Sequence, residues 1–253
     1  MRNNLSSLIT LSHVQKRLYR PEDVFELSRV TRLEQVKTDI YETAKEGSQV
    51  VAKRIAELIL DKQKKKEKAV ISLASGRSMT DIFQELVRMH EEEGLSFRNV
   101  ILFNLFEYYP LQDKNQGCYH QLKELLIDHI DIPKKNVYSF DGMQEKETLL
   151  ATFNEYEHCI QELGGIDIQL LGIGRGGNIG FNEPGTQFNS QTRLVILDNV
   201  SKNDAAGLFG SAEQVPVSAM TMGIGTILRA KEIIMVAWGE HKSEQLKVAV
   251  EGK

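Results

Sequence analysis

Three observations predict an α/β fold built on a three-layer, mostly parallel sheet with helices on both faces. Predicted strands alternate with predicted helices, the strands are continuous apolar runs, and polar or glycine-rich loops follow the strand ends. A chain of 253 residues is long enough for one such domain with a large core, and no linker or internal repeat interrupts it. The expected organisation is an N-terminal arm over residues 1–33 and a single α/β domain over 34–253.

Each element follows from its own pattern. Residues 1–33 carry mixed charge without a clear period and are broken at Pro21, as in an extended arm. EQVKTDIY (34–41) alternates weakly, as a short strand does. Over 42–66, Ala44, Val50, Val51, Ile55, Leu58 and Ile59 recur at helical spacing. That helix closes in KQKKKEK, a solvated end where cations suit the dipole. AVISLA (69–74) is a buried strand, and 79–93 is a helix through Ile82, Phe83, Leu86, Val87 and Met89. VILFN (100–104) is the second strand, followed by a loop to Pro110 and a helix over 118–130. VYSF (137–140) is a short third strand, and the helix over 145–163 stops at Gly164-Gly165. IQLLGI (168–173) drives into a glycine-dense turn, and RLVIL (193–197) is β-rich. Residues 198–216 read as loop and short helix, and 220–230 as a turn around Gly223 and Gly225. IIMVAW (233–238) is a last buried strand, and a helix begins at Ser243.

The bulk numbers exclude several classes of function. A net charge of −4 gives no electrostatic case for nucleic acid or an anionic membrane surface. No run of about 18 apolar residues is present to span a membrane. The start, MRNNLSSLIT, lacks the layout of a secretion signal. Cys118 and Cys159 make neither a disulfide framework nor a metal cluster, and both read as packing residues in helices. The expectation is a cytoplasmic protein with free thiols and no metal. His90, His120, His129, His158 and His241 fall on predicted helices or their ends and read as solvent-facing or capping; only His241, beside Lys242, lies near a predicted site loop.

Chemistry concentrates in four loops after strands: 75–78, 104–110, 174–185 and 239–242. The first, Ser75-Gly76-Arg77-Ser78, joins a strand to a helix N-terminus, where backbone N–H groups and the helix dipole favour an anion. It reads equally as a βα turn with capping serines. In the second, Glu107 reads as an acid or base, a helix cap, or a ligand for sugar hydroxyls. The third holds Gly174, Asn178, Asn182 and Glu183.

Taken together, these motifs resemble the glucosamine-6-phosphate deaminase (isomerase) family, related to 6-phosphogluconolactonases. The family's LATGSTP appears here as LASGRSM (73–79), and its FN(M/L)DEYY as FNLFEYY (103–109). Its GIG..GHI.FNEPGS...SRTR appears as GIGRGGNIGFNEPGTQFNSQTR, where FNEPG favours the deaminase branch. The resemblance covers residues 38–252. It implies a Rossmann-like fold, homo-oligomers, no cofactor, and conversion of glucosamine 6-phosphate to fructose 6-phosphate and ammonia. It further implies that phosphate sits on Ser75, Gly76, Arg77 and Ser78 with Lys242 reaching it, and that Gly174, Asn182 and Glu183 lie against the sugar.

The departures fall on the chemistry. The family's proton-shuttling Asp is Phe106 here, and its ring-opening His is Asn178; neither side chain titrates. Gly176 stands where many members carry an acid, Met79 where they carry proline, and Arg77 where they carry a smaller residue. The reading that follows is a sugar-phosphate-binding member with lost or much reduced deaminase activity. The alternatives are an active isomerase or deaminase using Glu107 or Glu183 as base, and an assembly role in which Phe106 and Arg77 close the pocket.

Overall fold

The computed structural model describes residues 23–252. Five strands form a parallel sheet: β1 (Ala69–Leu73), β2 (Val100–Asn104), β4 (Val137–Tyr138), β5 (Ile168–Gly172) and β8 (Glu232–Val236). Their spatial order is β4-β2-β1-β5-β8. Every residue of β1 and β2 is buried, which is why these strands read as unbroken apolar runs. The chain leaves β1 toward β2 on one side and later returns as β5 on the other. The carboxyl ends of β1 and β5 therefore flank the reversal in strand order, the place where open α/β sheets leave a crevice.

The helices are α1 (Val24–Thr31), α2 (Ala44–Lys64), α3 (Thr80–Glu93), α4 (Cys118–Leu125), α5 (Leu149–Glu162), α6 (Asn199–Phe209), α7 (Ile224–Leu228) and α8 (Ser243–Glu251). The apolar stripe of α2 buries Val51, Ala52, Ile55, Ala56 and Ile59, and α2 packs on α3. On β2, Phe103 stacks on Tyr138 at 4.6 Å and meets Tyr156 of α5 edge-on at 5.1 Å. The Tyr156 hydroxyl donates to the carbonyl of Asn104 at 2.5 Å, fixing α5 against the sheet.

A second sheet was not expected. β3 (Phe106–Tyr109), β6 (Arg193–Ile196) and β7 (Ser218–Thr221) pair antiparallel in the order β3-β7-β6. One residue, Leu105, separates β2 from β3. Its N–H donates to the carbonyl of Leu73 and its carbonyl accepts from Met222, so it stitches the two sheets together. Residues 106–109, expected in a loop, form a strand because β7 supplies its ladder. The expected turn at 220–230 is the end of β7 followed by α7, and most of 198–216 is α6.

Residues 34–41 do not form the expected strand. Val36 and Ile40 stay exposed, and Gln35 bonds the carbonyl of Val250 on α8 rather than a sheet edge. The expected arm includes α1, capped by Asp23 accepting from Glu26 N–H; residues 1–22 lie outside the described residues. No helix among the described residues is long and apolar enough to cross a membrane.

Candidate functional site

The loop over residues 75–78, expected to hold an anion, forms where β1 runs out. Gly76 takes φ 115°, a backbone region closed to ordinary side chains, and the chain then makes a single 3₁₀ turn over Arg77–Met79 into α3. Met79 is buried beneath the loop, while the Trp238 indole donates to the Ser78 carbonyl at 2.9 Å from behind. Ser75 and Ser78 are half-buried and Arg77 is exposed, so the polar groups face outward at the start of a 14-residue helix.

The loop after β5 is closed by its own hydrogen bonds. Gly174 N–H donates to the Asn178 carbonyl at 2.9 Å, and Gly177 N–H to the Gly174 carbonyl at 3.0 Å. The Asn178 amide donates to the Gly180 carbonyl at 2.8 Å and lies over Gly174, where a Cβ would strike it. Asn182 is 3% exposed and satisfied within the fold. It donates to the carbonyls of Ile179 and Met222 and accepts from Arg193 at 2.8 Å. Glu183 accepts from Ser201 at 3.2 Å, and burial with the neighbouring Asp198 pushes its pKa up. Arg175 pairs with Asp204 of α6, and Gln245 donates to the Arg175 carbonyl. Lys242 is half-buried; burial lowers its pKa, Asp204 opposing the shift and Arg175 adding to it.

Across from the anion loop stands an aromatic wall. Phe106 and Tyr108 are two apart on β3 and share a face. Phe181 meets Phe106 at 4.8 Å and Tyr108 at 5.1 Å, and Tyr108 meets Phe209 at 5.0 Å. Glu107, between them, points the other way. It is 2% exposed and accepts from the N–H groups of Tyr108 (2.9 Å), Cys118 (2.7 Å) and Tyr119 (2.8 Å). Burial raises its pKa, and the three N–H bonds offset only part of that. Of the roles open to it in the sequence, Glu107 takes that of helix cap, holding the first turn of α4 against β3. The helix then presents Cys118 and Gln121, one turn apart, to the site. Burial and the charge of Glu107 hold the Cys118 thiol well above its usual pKa.

These pieces enclose a cavity of about 230 Å³ at the β1–β5 crevice. Of the sequence-predicted residues, Ser75, Gly76, Arg77, Ser78, Phe106, Gly174 and Asn178 line it together. Glu107, Asn182, Glu183 and Lys242 do not: Glu107 and Asn182 are committed to backbone groups, Glu183 to Ser201, and Lys242 lies beside Arg175 and Asp204. Sequence reasoning missed Tyr108, Cys118, Gln121 and Phe181 as lining residues. The period-2 spacing of 106 and 108 and the helical spacing of 118 and 121 were the available signals. Among the described residues lining the cavity there is no Asp, Glu or His. Tyr108, also lining it, is held far above the ordinary tyrosine pKa by burial. No group of three or more metal-ligating side chains occurs among the described residues.

Comparison with known proteins bears on this arrangement. A family model described as glucosamine-6-phosphate isomerases/6-phosphogluconolactonase matches residues 42–253. A glucosamine-6-phosphate deaminase-like protein of Bacteroides thetaiotaomicron is 52% identical over all 253 residues, which span 38% of that relative's length. A glucosamine-6-phosphate deaminase of Bacillus velezensis is 44% identical over 204 residues, 80% of this chain and 84% of the relative. Among solved structures, a monomeric glucosamine-6-phosphate deaminase superposes with a TM-score of 0.76 at 38% identity, covering 82% of this chain and 84% of that one. The 6-phosphogluconolactonase of Trypanosoma brucei, at 19% identity and a TM-score of 0.66 over 85% and 86% of the two chains, shares the fold. The α/β sheet and these matches agree: the chain belongs to the glucosamine-6-phosphate isomerase/6-phosphogluconolactonase family.

Proposed function

We propose that this chain binds a sugar phosphate in the β1–β5 crevice, with the phosphate on residues 75–78, and that it deaminates amino-sugar phosphate slowly or not at all. One observation carries the reading: no described side chain lining the cavity is a carboxylate or an imidazole. A positioned general acid or base contributes roughly 10²–10⁴-fold. The two family positions that would carry such groups are Phe106 and Asn178, and both face the cavity. Glu107 is no substitute, because three N–H groups already occupy its carboxylate.

Glu183 favours a second reading, an active isomerase or deaminase. Its raised pKa suits a base, and its Oε2 lies 3.6 Å from where a Cβ on Gly176 would stand, one loop from the cavity. Two measurements separate the readings. Thermal shift with fructose 6-phosphate, 6-phosphogluconate and glucosamine 6-phosphate reports binding; a ligand at a hundred times its Kd stabilises by about 2.7 kcal/mol. Ammonia release from glucosamine 6-phosphate reports turnover. Binding without release is expected, and Ser75→Asp, which sets a negative charge in the anion loop, should abolish the shift. Turnover at an ordinary enzymic rate that Glu183→Gln abolishes would replace the first reading with the second.

A further inference from the structure

We infer that the cavity selects sugar phosphates whose C2 carries no free ammonium, taking a hydroxyl or an amide there in preference to the amine of an amino-sugar phosphate. This rests on the sugar-phosphate reading above and specifies the ligand class.

The charges around the crevice are one-sided. Arg77 is the one charged side chain among the described residues lining it; Arg175 is already paired with Asp204, and Lys242 lies beside that pair. Each nearby carboxylate is engaged elsewhere. Asp204 is paired with Arg175, Glu107 is enclosed by the first turn of α4, and Glu183 accepts from Ser201 with Asp198 as its charged neighbour. A lining whose one charged side chain is a cation suits a phosphate and offers no counter-charge to an ammonium on the same small ligand.

The wall facing the anion loop gives an ammonium nothing equivalent to water. Phe181 meets Phe106 edge to face and Tyr108 at a tilt, so these rings spend part of their surface on one another and bring no formal charge to the cavity. Attraction of an ammonium to a ring face is the smaller effect beside the loss of its hydration. A neutral substituent meets no such loss. The Gln121 and Asn178 amides and the Tyr108 hydroxyl are neutral donors and acceptors suited to a hydroxyl or an amide, and the aromatic edges suit an acyl methyl. A family member whose cavity no longer offers a counter-charge to the amine is thereby tuned to ligands that lack it.

The test compares three ligands that differ only at C2: glucose 6-phosphate, N-acetylglucosamine 6-phosphate and glucosamine 6-phosphate. Titration calorimetry on the whole chain, below and above the titration of the ligand amine, reads the effect. The protonated amine should bind at least about tenfold more weakly than the better of the other two. Raising the pH through the amine's own titration should close most of that gap while leaving the other two ligands nearly unchanged. Phe106→Asp should narrow or reverse the preference, and Gln121→Glu provides the same new charge where the first variant fails to fold. Equal or tighter binding of protonated glucosamine 6-phosphate to the unsubstituted chain would overturn the inference and leave the sugar-phosphate reading standing. Binding of none of the three would overturn the inference, and failure of fructose 6-phosphate and 6-phosphogluconate to bind as well would remove the sugar-phosphate reading.

Discussion

Substituting Gly174 by alanine tests the architecture of the β5 loop directly. Gly174 is not among the positive-φ glycines, so its backbone accepts alanine. The obstacle is one side chain: the new Cβ would fall on the Asn178 Oδ1 and within 2.6 Å of its Cγ. The amide must rotate away, giving up its 2.8 Å bond to the Gly180 carbonyl. That bond is worth about 0.5–1.5 kcal/mol, and residual crowding adds about 1–3 kcal/mol. Against this, alanine restricts the unfolded chain and returns about 0.4–1 kcal/mol. The net expectation is a loss of about 1–3 kcal/mol, read as a lower urea midpoint at unchanged slope. In an Asn178→Ala background the obstruction is gone, and the same substitution should be neutral or stabilise by up to about 1 kcal/mol. The two single variants and the double variant form a cycle with a coupling of about 2 kcal/mol. If Gly174→Ala costs the same in both backgrounds, the Asn178 amide does not occupy the position that shapes this loop.

Two further predictions concern buried carboxylates with opposite pH signatures. Asp167 is 5% exposed; burial raises its pKa, but the bonds from Lys231 (2.7 Å) and Val70 N–H (2.9 Å) and the charges of Lys231 and Lys62 outweigh this and hold it below the usual carboxylate range. Its contribution is therefore present above the unfolded-state pKa and lost as pH falls through the depressed folded value. Asp167→Asn should cost about 1.5–3 kcal/mol near neutrality, since Lys231 stays solvated, with the difference from the parent shrinking in acid, as followed by denaturant unfolding across pH. Glu107 has the reverse sign: its folded pKa is raised, so the stability linked to its proton is present below the unfolded value and lost as pH rises through the folded one. Unfolding free energies of the parent and Glu107→Gln should diverge across that window, and parallel curves would show that the carboxyl is not perturbed in the fold.

How much was legible depends on whether an element's partners are local. Residues 69–73 and 100–104 announced themselves because a strand covered on both faces must be apolar throughout. Residues 106–109 did not, since only one residue separates them from β2 and their partner strand begins at Ser218. No local pattern marks a chain that changes sheets across a single leucine. The same holds for the site. The strand–loop–helix turn over 69–93 was readable because strand, glycine and helix start are consecutive. Glu107 read as an acid or base, a helix cap or a hydroxyl ligand, because strand-end position alone does not say which way a side chain points; in β3 it alternates away from Phe106 and Tyr108 and finds the start of α4. Asn182 read as a ligand group, yet its partners are Met222 and Arg193, 40 and 11 residues along the chain.

Phe106 carries a consequence of a different kind. Its ring packs against both hydrophobic cores and begins a chain of contacts that runs through Phe181 and Tyr108 to Phe209. Removing a fully buried ring costs about 3–5 kcal/mol; Phe106 is half-buried, so its loss falls below that range but still counts against the roughly 5–15 kcal/mol that holds a domain folded. Placing a small carboxylate at this position would therefore weaken the joint between the two cores. The position carries two loads at once: the ring that lines the cavity also joins the two cores, so reshaping the cavity at this residue loosens the frame around it.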